Sequence, residues 1–250
     1  MNNFDDNNTN FKVVFDIETT GFKPEDGAEI IELAGIKINE ESKIVGRFHA
    51  YIKPSNPIPE KITELTGITN EMVKDSFEVE EVLKGFVAFV DDATLVAHYS
   101  NFDVDFINYY LVKHGIRDEY LTSICTQKSF RNYYKGASSA KLIDCCNHFE
   151  IVLENAHSAM FDCSATYELY KALSNNNSIV ENRHHLAVVD PSEEFRTQIS
   201  ELDNNISALY RERKTAEEDR LQELYSEIRA LQEEKFKLYN EEGRRLREAI

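Results

Sequence analysis

Two carboxylates in the run Phe15-Asp16-Ile17-Glu18-Thr19-Thr20-Gly21 stand at i and i+2. On a strand, that spacing points both to one side. Like charges so close, beside an apolar strand, are costly unless a cation sits between them. A hard divalent cation such as Mg²⁺, which prefers carboxylate oxygens and water, suits the pair. Gly21 ends the run and allows close backbone approach by a ligand. A third carboxylate lies in His98-Tyr99-Ser100-Asn101-Phe102-Asp103, where a short apolar strand, Thr94–Ala97, runs into a polar turn. If a helix starts there, with Ser100 or Asn101 as its cap, Asp103 falls in its first turn. The last group is His157-Ser158-Ala159-Met160-Phe161-Asp162. Five positions along one helix would set His157 and Asp162 about 140° apart. They converge only if His157 precedes the helix, with Ser158 as the cap. A loop histidine beside a fixed helical carboxylate is what proton transfer at a metal site requires. Taken singly, each group has an ordinary reading: solvated edge acids, an acid favoured by a helix dipole, a surface histidine.

The elements that must position these groups alternate in type. Phe11–Glu18 puts Val13, Phe15 and Ile17 on one face and Val14, Asp16 and Glu18 on the other. Strand-like runs follow near Ile30–Ile38 and Lys43–Ile52, joined by the polar Asn39–Ser42. Helices are expected near Ile58–Leu65, Val79–Val90, Phe102–His114, Ser139–Phe149 and Ala159–Leu173, with Leu121–Cys125 as the last strand. This pattern is that of an α/β domain with a mixed sheet over residues 11–175. Residues 1–10 read as a disordered leader and 176–192, asparagine-rich and ending near a proline, as a linker. Residues 193–250 hold 15 acidic and 11 basic residues and a single glycine, Gly243. Apolar side chains recur there by fours and threes: Phe195, Ile199, Leu202, Ile206, Leu209, then, one residue out of phase, Leu221, Leu224, Ile228, Leu231 and Leu238. That is coiled-coil spacing with a break, so the tail is either one long helix or a helical hairpin.

The chain carries 28 basic and 45 acidic residues, a formal charge of −17. Tight wrapping of a nucleic-acid backbone runs on a basic surface, so the charge argues against that mode; it leaves room for a site that holds only a few terminal nucleotides and binds weakly. No apolar run approaches the ~20 residues of a membrane span. The cysteines Cys125, Cys145, Cys146 and Cys163 lack CxxC spacing, which suits reduced thiols in a cytoplasmic location.

In this order the motifs resemble those of the DEDDh exonucleases, the DnaQ-like family that includes the proofreading subunit of bacterial DNA polymerase III. Asp16 and Glu18 fall on its first motif, Asp103 on its second, and His157 and Asp162 on its third. Leu65-Thr66-Gly67-Ile68-Thr69 and Ile124-Cys125-Thr126 are similar to the family's intervening text. The resemblance implies a ribonuclease H-like fold and a 3′→5′ exonuclease releasing nucleoside 5′-monophosphates from single-stranded 3′ ends. It implies two divalent ions, Mg²⁺ with Mn²⁺ able to substitute, held by Asp16, Glu18, Asp103 and Asp162, and His157 as general base. Thr19, Gly21, Phe22, Ile68 and His98 are the expected substrate contacts, with Phe22 or Ile68 stacking on the last base. DNA is the expected substrate, in proofreading or repair. The alternatives are RNA 3′-end trimming, or a polymerase-associated subunit acting mainly through its tail. Residues 193–250 are expected to mediate self-association or to dock a replication or repair protein. One departure stands out: the family's second motif usually begins His-Asn-Ala, and here it reads His98-Tyr99-Ser100. Asp103 is intact, so the departure bears on nucleotide contacts near Tyr99.

Overall fold

The computed structural model describes residues 11–116, 122–183, 192–213, 215–216 and 218–248. They divide into two compact units, with the boundary near residue 184. The expected leader, residues 1–10, and the segment 184–191 lie outside the described residues.

The first unit is built on a six-stranded mixed sheet ordered β3-β2-β1-β4-β5-β6. The strands are β1 (Lys12–Thr19), β2 (Ile30–Ile38), β3 (Ile44–Tyr51), β4 (Thr94–Ala97), β5 (Thr122–Cys125) and β6 (Glu181–Arg183). β2 is antiparallel to both β1 and β3, β4 is parallel to β1 and β5, and β6 returns antiparallel on the edge. The helices of this unit are α1 (Glu60–Thr66), α2 (Asn70–Val73), α3 (Val79–Val90), α4 (Asn101–Lys113), α5 (Thr126–Tyr133), α6 (Leu142–His148) and α7 (Ala159–Asn175).

The alternation in β1 sorts the core into two layers. Val13, Phe15 and Ile17 pack with Leu83 and Phe86 of α3 and Val104, Phe106 and Ile107 of α4. On the opposite face Val14 joins Ala34 and Ile36 of β2 and Ala159, Cys163 and Tyr167 of α7. Asp16 and Glu18 share that second face. β4 pairs with β1 only as far as Val14↔Val96. Beyond that point the free edge of β1 is open to the chain entering α4.

Three local expectations change. The segment after β5 opens with α5, whose short amphipathic pattern buries only Thr126, Ser129 and Phe130. Residues 181–183, expected to be linker, form β6, because Asn182 is buried and donates to Ser100 Oγ at 3.2 Å. Ser100 and Asn101 therefore do not cap α4 with their side chains; both side chains bond Asn182 instead.

The second unit holds α8 (Glu193–Glu212) and α9 (Glu218–Glu248). The two form an antiparallel hairpin. Ser192 at its start donates its N–H to Glu242 Oε1 at 2.7 Å, and Arg220 reaches Glu212 at 3.0 Å across the turn. Ser192 caps α8 by accepting from Phe195 N–H. Phe195, Leu202, Leu224 and Ile228 of the apolar stripe are buried. The phase break around Arg211–Arg220 is thus the hairpin turn.

Candidate active site

β1, β4 and β5 run parallel and end at one edge of the sheet, the edge where α/β sheets place ligand sites. Asp16 and Glu18 sit near the end of β1. The first turn of α4, which follows β4, carries Asp103, which is only 3% exposed. Its carboxylate receives hydrogen bonds from its own backbone and from that of Ile17 on the open edge of β1. α7 brings Asp162 over the same face of β1 and β2. One ligand atom each from Glu18, His157 and Asp162 lies within 4.8 Å of the others.

His157 stands on the loop before α7 with φ +68°, and its N–H donates to Asp162 Oδ2 at 3.3 Å. That left-handed turn is strained for a side-chain-bearing residue, and such strain concentrates at functional positions. It brings the histidine back beside a carboxylate that helical spacing would have set on another face. Ser158 takes the N-cap position but makes no side-chain cap bond. The cap comes from elsewhere: Ala159 N–H donates to Glu32 Oε2 at 3.0 Å, and Glu32 Oε1 meets His49 Nε2 at 2.8 Å.

The electrostatics fit a cation site. Burial first, then Asp103, Asp162, Glu18 and Glu32, push Asp16 well above the usual carboxylate range. Burial and the charges of Asp162, Glu32 and Asp103 push Glu18 up to about 8. Asp103 rises to about 8, chiefly by burial, against the pull of its backbone hydrogen bonds. Burial also raises Asp162, opposed by the bond from His157, and Asp162 Oδ1 is a buried oxygen with no hydrogen-bond partner. Four acids that repel one another, with one oxygen left unpaired, are a donor set suited to hard divalent cations.

The expected substrate contacts fare unequally. Phe22 is 89% exposed and, with Thr20 and Gly21, lines a groove of about 350 Å³. Thr19 is buried, and its hydroxyl donates to Gly21 O at 2.6 Å, closing the turn after β1. A Cβ on Gly21 would lie 3.1 Å from that of Ala28, a tight contact that Ala28 would have to yield to by a few tenths of an ångström. Ile68 is corrected: it is 2% exposed in a small core with Ile31, Ile58 and Val73 and has no face to offer a base. His98 is corrected too. Its Nδ1 meets Thr126 Oγ1 and its Nε2 meets Ala140 O, both at 3.0 Å, so neither ring nitrogen is open to substrate. Burial lowers its pKa to about 4, which keeps the ring neutral. Glu32 was not singled out from the sequence, although an acid inside the apolar run Ile30-Ile31-Glu32-Leu33-Ala34 was the available signal.

The RNase_T exonuclease family matches residues 13–170. The chain is 40% identical over 157 residues to the PolC-type DNA polymerase III of Halalkalibacterium halodurans, covering 63% of this chain and 11% of that protein. It is 39% identical over 183 residues to the PolC-type DNA polymerase III of Caldanaerobacter subterraneus subsp. tengcongensis, covering 68% and 13%. The chain therefore spans a small fraction of the length of the curated relatives it matches. Among solved structures, the nuclease domain of 3′hExo, a DEDDh family member bound to rAMP, is similar with a TM-score of 0.62 and 21% identity. That likeness covers 71% of this chain and 98% of that one. Exonuclease X in complex with 5′ overhanging duplex DNA is similar with a TM-score of 0.53 and 22% identity, covering 66% and 92%. At these identities the two structures speak for the fold.

Proposed function

The chain belongs to the DnaQ-like 3′→5′ exonuclease family, and on that premise we propose that it removes nucleoside 5′-monophosphates from single-stranded 3′ ends of DNA. The observation that carries this reading is the convergence of Glu18, His157 and Asp162 beside Asp16 and the buried Asp103. The family implies divalent metal ions, and we assign Mg²⁺ to Asp16, Glu18, Asp103 and Asp162, with Mn²⁺ able to replace it.

Divalent cations, when bound, would neutralise charge on the phosphodiester and activate the attacking water. Asp16, Glu18, Asp103 and Asp162 would hold those cations. Asp162 anchors the backbone of His157, whose ring takes the proton the water loses. The bond from phosphorus to the 3′ oxygen of the preceding nucleotide breaks, and the terminal nucleotide leaves with its 5′ phosphate. Phe22 and the groove beside it receive that nucleotide.

DNA is favoured over RNA by the polymerase relatives at about 40% identity. Turnover on matched DNA and RNA oligonucleotides tests the choice, and faster cleavage of the RNA would reverse it. The tail is proposed as an association surface, for a second copy or a replication or repair protein. Within the hairpin Ile199, Leu209 and Leu221 stay only partly covered, and Tyr225 is 50% exposed. Light scattering that finds a monomer at all concentrations would contradict self-association. The four described cysteines are buried and free, which accords with a reducing, cytoplasmic compartment. No helix among the described residues is long and apolar enough to cross a membrane.

A further inference from the structure

In a chain of charge −17, the stretch that follows β5 is locally basic. From Thr122 to Phe149 it carries Lys128, Arg131, Lys135 and Lys141, against a single acid, Asp144. That acid is already engaged, accepting from Ser139 Oγ at 2.5 Å. All four cations are exposed, and none makes an ion pair among the described residues. Lys128 donates to the neutral Asn182 Oδ1, which leaves its charge uncompensated. Elsewhere in the domain Lys43, Lys53, Lys74, Lys84 and Lys171 each face a glutamate, while others, Arg47 and Lys61 among them, make no ion pair among the described residues.

Two aromatic rings interleave with these charges. Tyr133 is 38% and Tyr134 45% exposed. Both are buttressed from behind. The ring of Tyr134 stacks on His148 at 5.1 Å and 27°, and that of Tyr133 lies 5.1 Å from Phe149. Rings held this way keep a fixed face toward solvent. Cations alternating with fixed aromatic faces form the surface that single-stranded nucleic acid recognises, phosphates on the charges and bases on the rings.

The stretch is also tied to the active site. It begins where β5 ends, on the same sheet edge as Asp16 and Glu18. His98, in the turn that leads to Asp103, bonds Thr126 at its start and Ala140 near its finish, both at 3.0 Å. Both ends of the stretch are therefore anchored to the turn that leads into α4; Lys128, Arg131, Tyr133, Tyr134 and Lys135 lie between the anchors, and Lys141 follows the second.

We propose that residues 126–141 form the track for the substrate strand on the 5′ side of the scissile bond, with Lys128, Arg131, Lys135 and Lys141 on successive phosphates and Tyr133 and Tyr134 under bases. This rests on the exonuclease reading of the site and adds to it a preference for single strands longer than the site itself fills. It also gives the acidic chain a locally basic surface on which a strand can run.

The test has two parts and uses the full chain with Mn²⁺. Wild-type protein is assayed on oligothymidylates of two to twelve nucleotides, following release of the mononucleotide. The track predicts that KM falls at least tenfold between the dinucleotide and the longer strands and then levels, with kcat nearly constant. Equal KM at all lengths overturns it. The second part is a triple variant, R131Q with K135Q and K141Q. It should raise KM on the twelve-mer at least tenfold and flatten the slope of log KM against log salt by about 2, since each single-strand phosphate contact contributes about 0.7. An unchanged slope in a variant whose circular dichroism matches wild type overturns the proposal, and a misfolded variant leaves the length series to decide. The p-nitrophenyl ester of thymidine 5′-monophosphate separates the two readings in wild-type protein. No hydrolysis of ester or oligonucleotide contradicts the exonuclease reading, whereas cleavage of both with no length dependence contradicts the track alone.

Discussion

Glu18 and Glu32 stand directly opposite each other in the antiparallel pairing of β1 and β2, on the face that α7 covers. Like charges so placed repel, and the chain resolves the conflict by giving the two acids different partners. Glu32, 1% exposed, is held by the Ala159 N–H and by His49. Glu18 faces His157 and Asp162 instead and is left for a cation. The buried acid thus fixes the start of α7, two residues beyond the Asp162-bound loop histidine.

Glu32→Ala removes the acceptor for a buried backbone N–H, a loss on the order of 1–3 kcal/mol. Its melting temperature and its turnover should both fall. Glu32→Gln keeps an acceptor oxygen and should recover most of the stability. Thermal unfolding of the two variants checks this, and an alanine variant as stable as wild type would contradict the capping role.

The metal-free protein should lose stability as pH rises. Glu18 and Asp103 titrate at about 8 when folded, whereas unfolded carboxyls titrate near ~4. Between those values the folded state holds protons that the unfolded chain has released, so unfolding is favoured by raising the pH. Calorimetry in EDTA should show a melting temperature that declines from about pH 4 to about pH 8. Added Mn²⁺ should restore more at pH 8 than at pH 5, because cations bind the ionised acids. A flat or rising metal-free profile would contradict the clustered-acid account.

Asp16→Ala and Asp162→Ala should abolish nearly all turnover yet stay folded, since each relieves repulsion among the acids. In EDTA at pH 8 their melting temperatures should equal or exceed that of wild type. Turnover within about tenfold of wild type in either variant would remove that residue from the site.

Much of this was legible from the chain. β1, β2, α3 and β4 could be read from alternation and helical periodicity, and the convergence of His157 with Asp162 followed from requiring the histidine to precede the helix. What stayed hidden depended on partners far along the chain. β6 is three polar residues, Glu181-Asn182-Arg183, with no alternation to detect; pairing with β5 makes it a strand. The caps expected of Ser100 and Ser158 were displaced by Asn182 and Glu32, 82 and 127 residues away from the groups they bond. Ile68 looked available because a lone isoleucine after a glycine carries no sign of the small core that buries it.

Tyr99 occupies the left-handed region at φ +56° and is 56% exposed. Asparagine, the usual residue of the family at this position, adopts that backbone more readily than tyrosine. Tyr99→Asn should therefore stabilise the protein by about 1 kcal/mol, seen as a higher melting temperature. A lower one would mean that the tyrosine ring makes contacts that outweigh the strain.

His157→Ala should slow turnover by roughly 10²–10⁴-fold, the scale of a lost general base, while calorimetric Mn²⁺ titration shows metal binding largely kept. Loss of metal binding would make the histidine a ligand, a role its distance from Glu18 and Asp162 also permits.

The central claim is that these five side chains cut the last phosphodiester at a 3′ end with the help of divalent cations. A single-stranded oligonucleotide labelled at its 5′ end, incubated with the protein and Mg²⁺, should give a ladder of labelled products shortening one nucleotide at a time, and EDTA should stop it. Immediate release of the labelled terminal nucleotide, or cleavage undiminished in EDTA, would contradict the account.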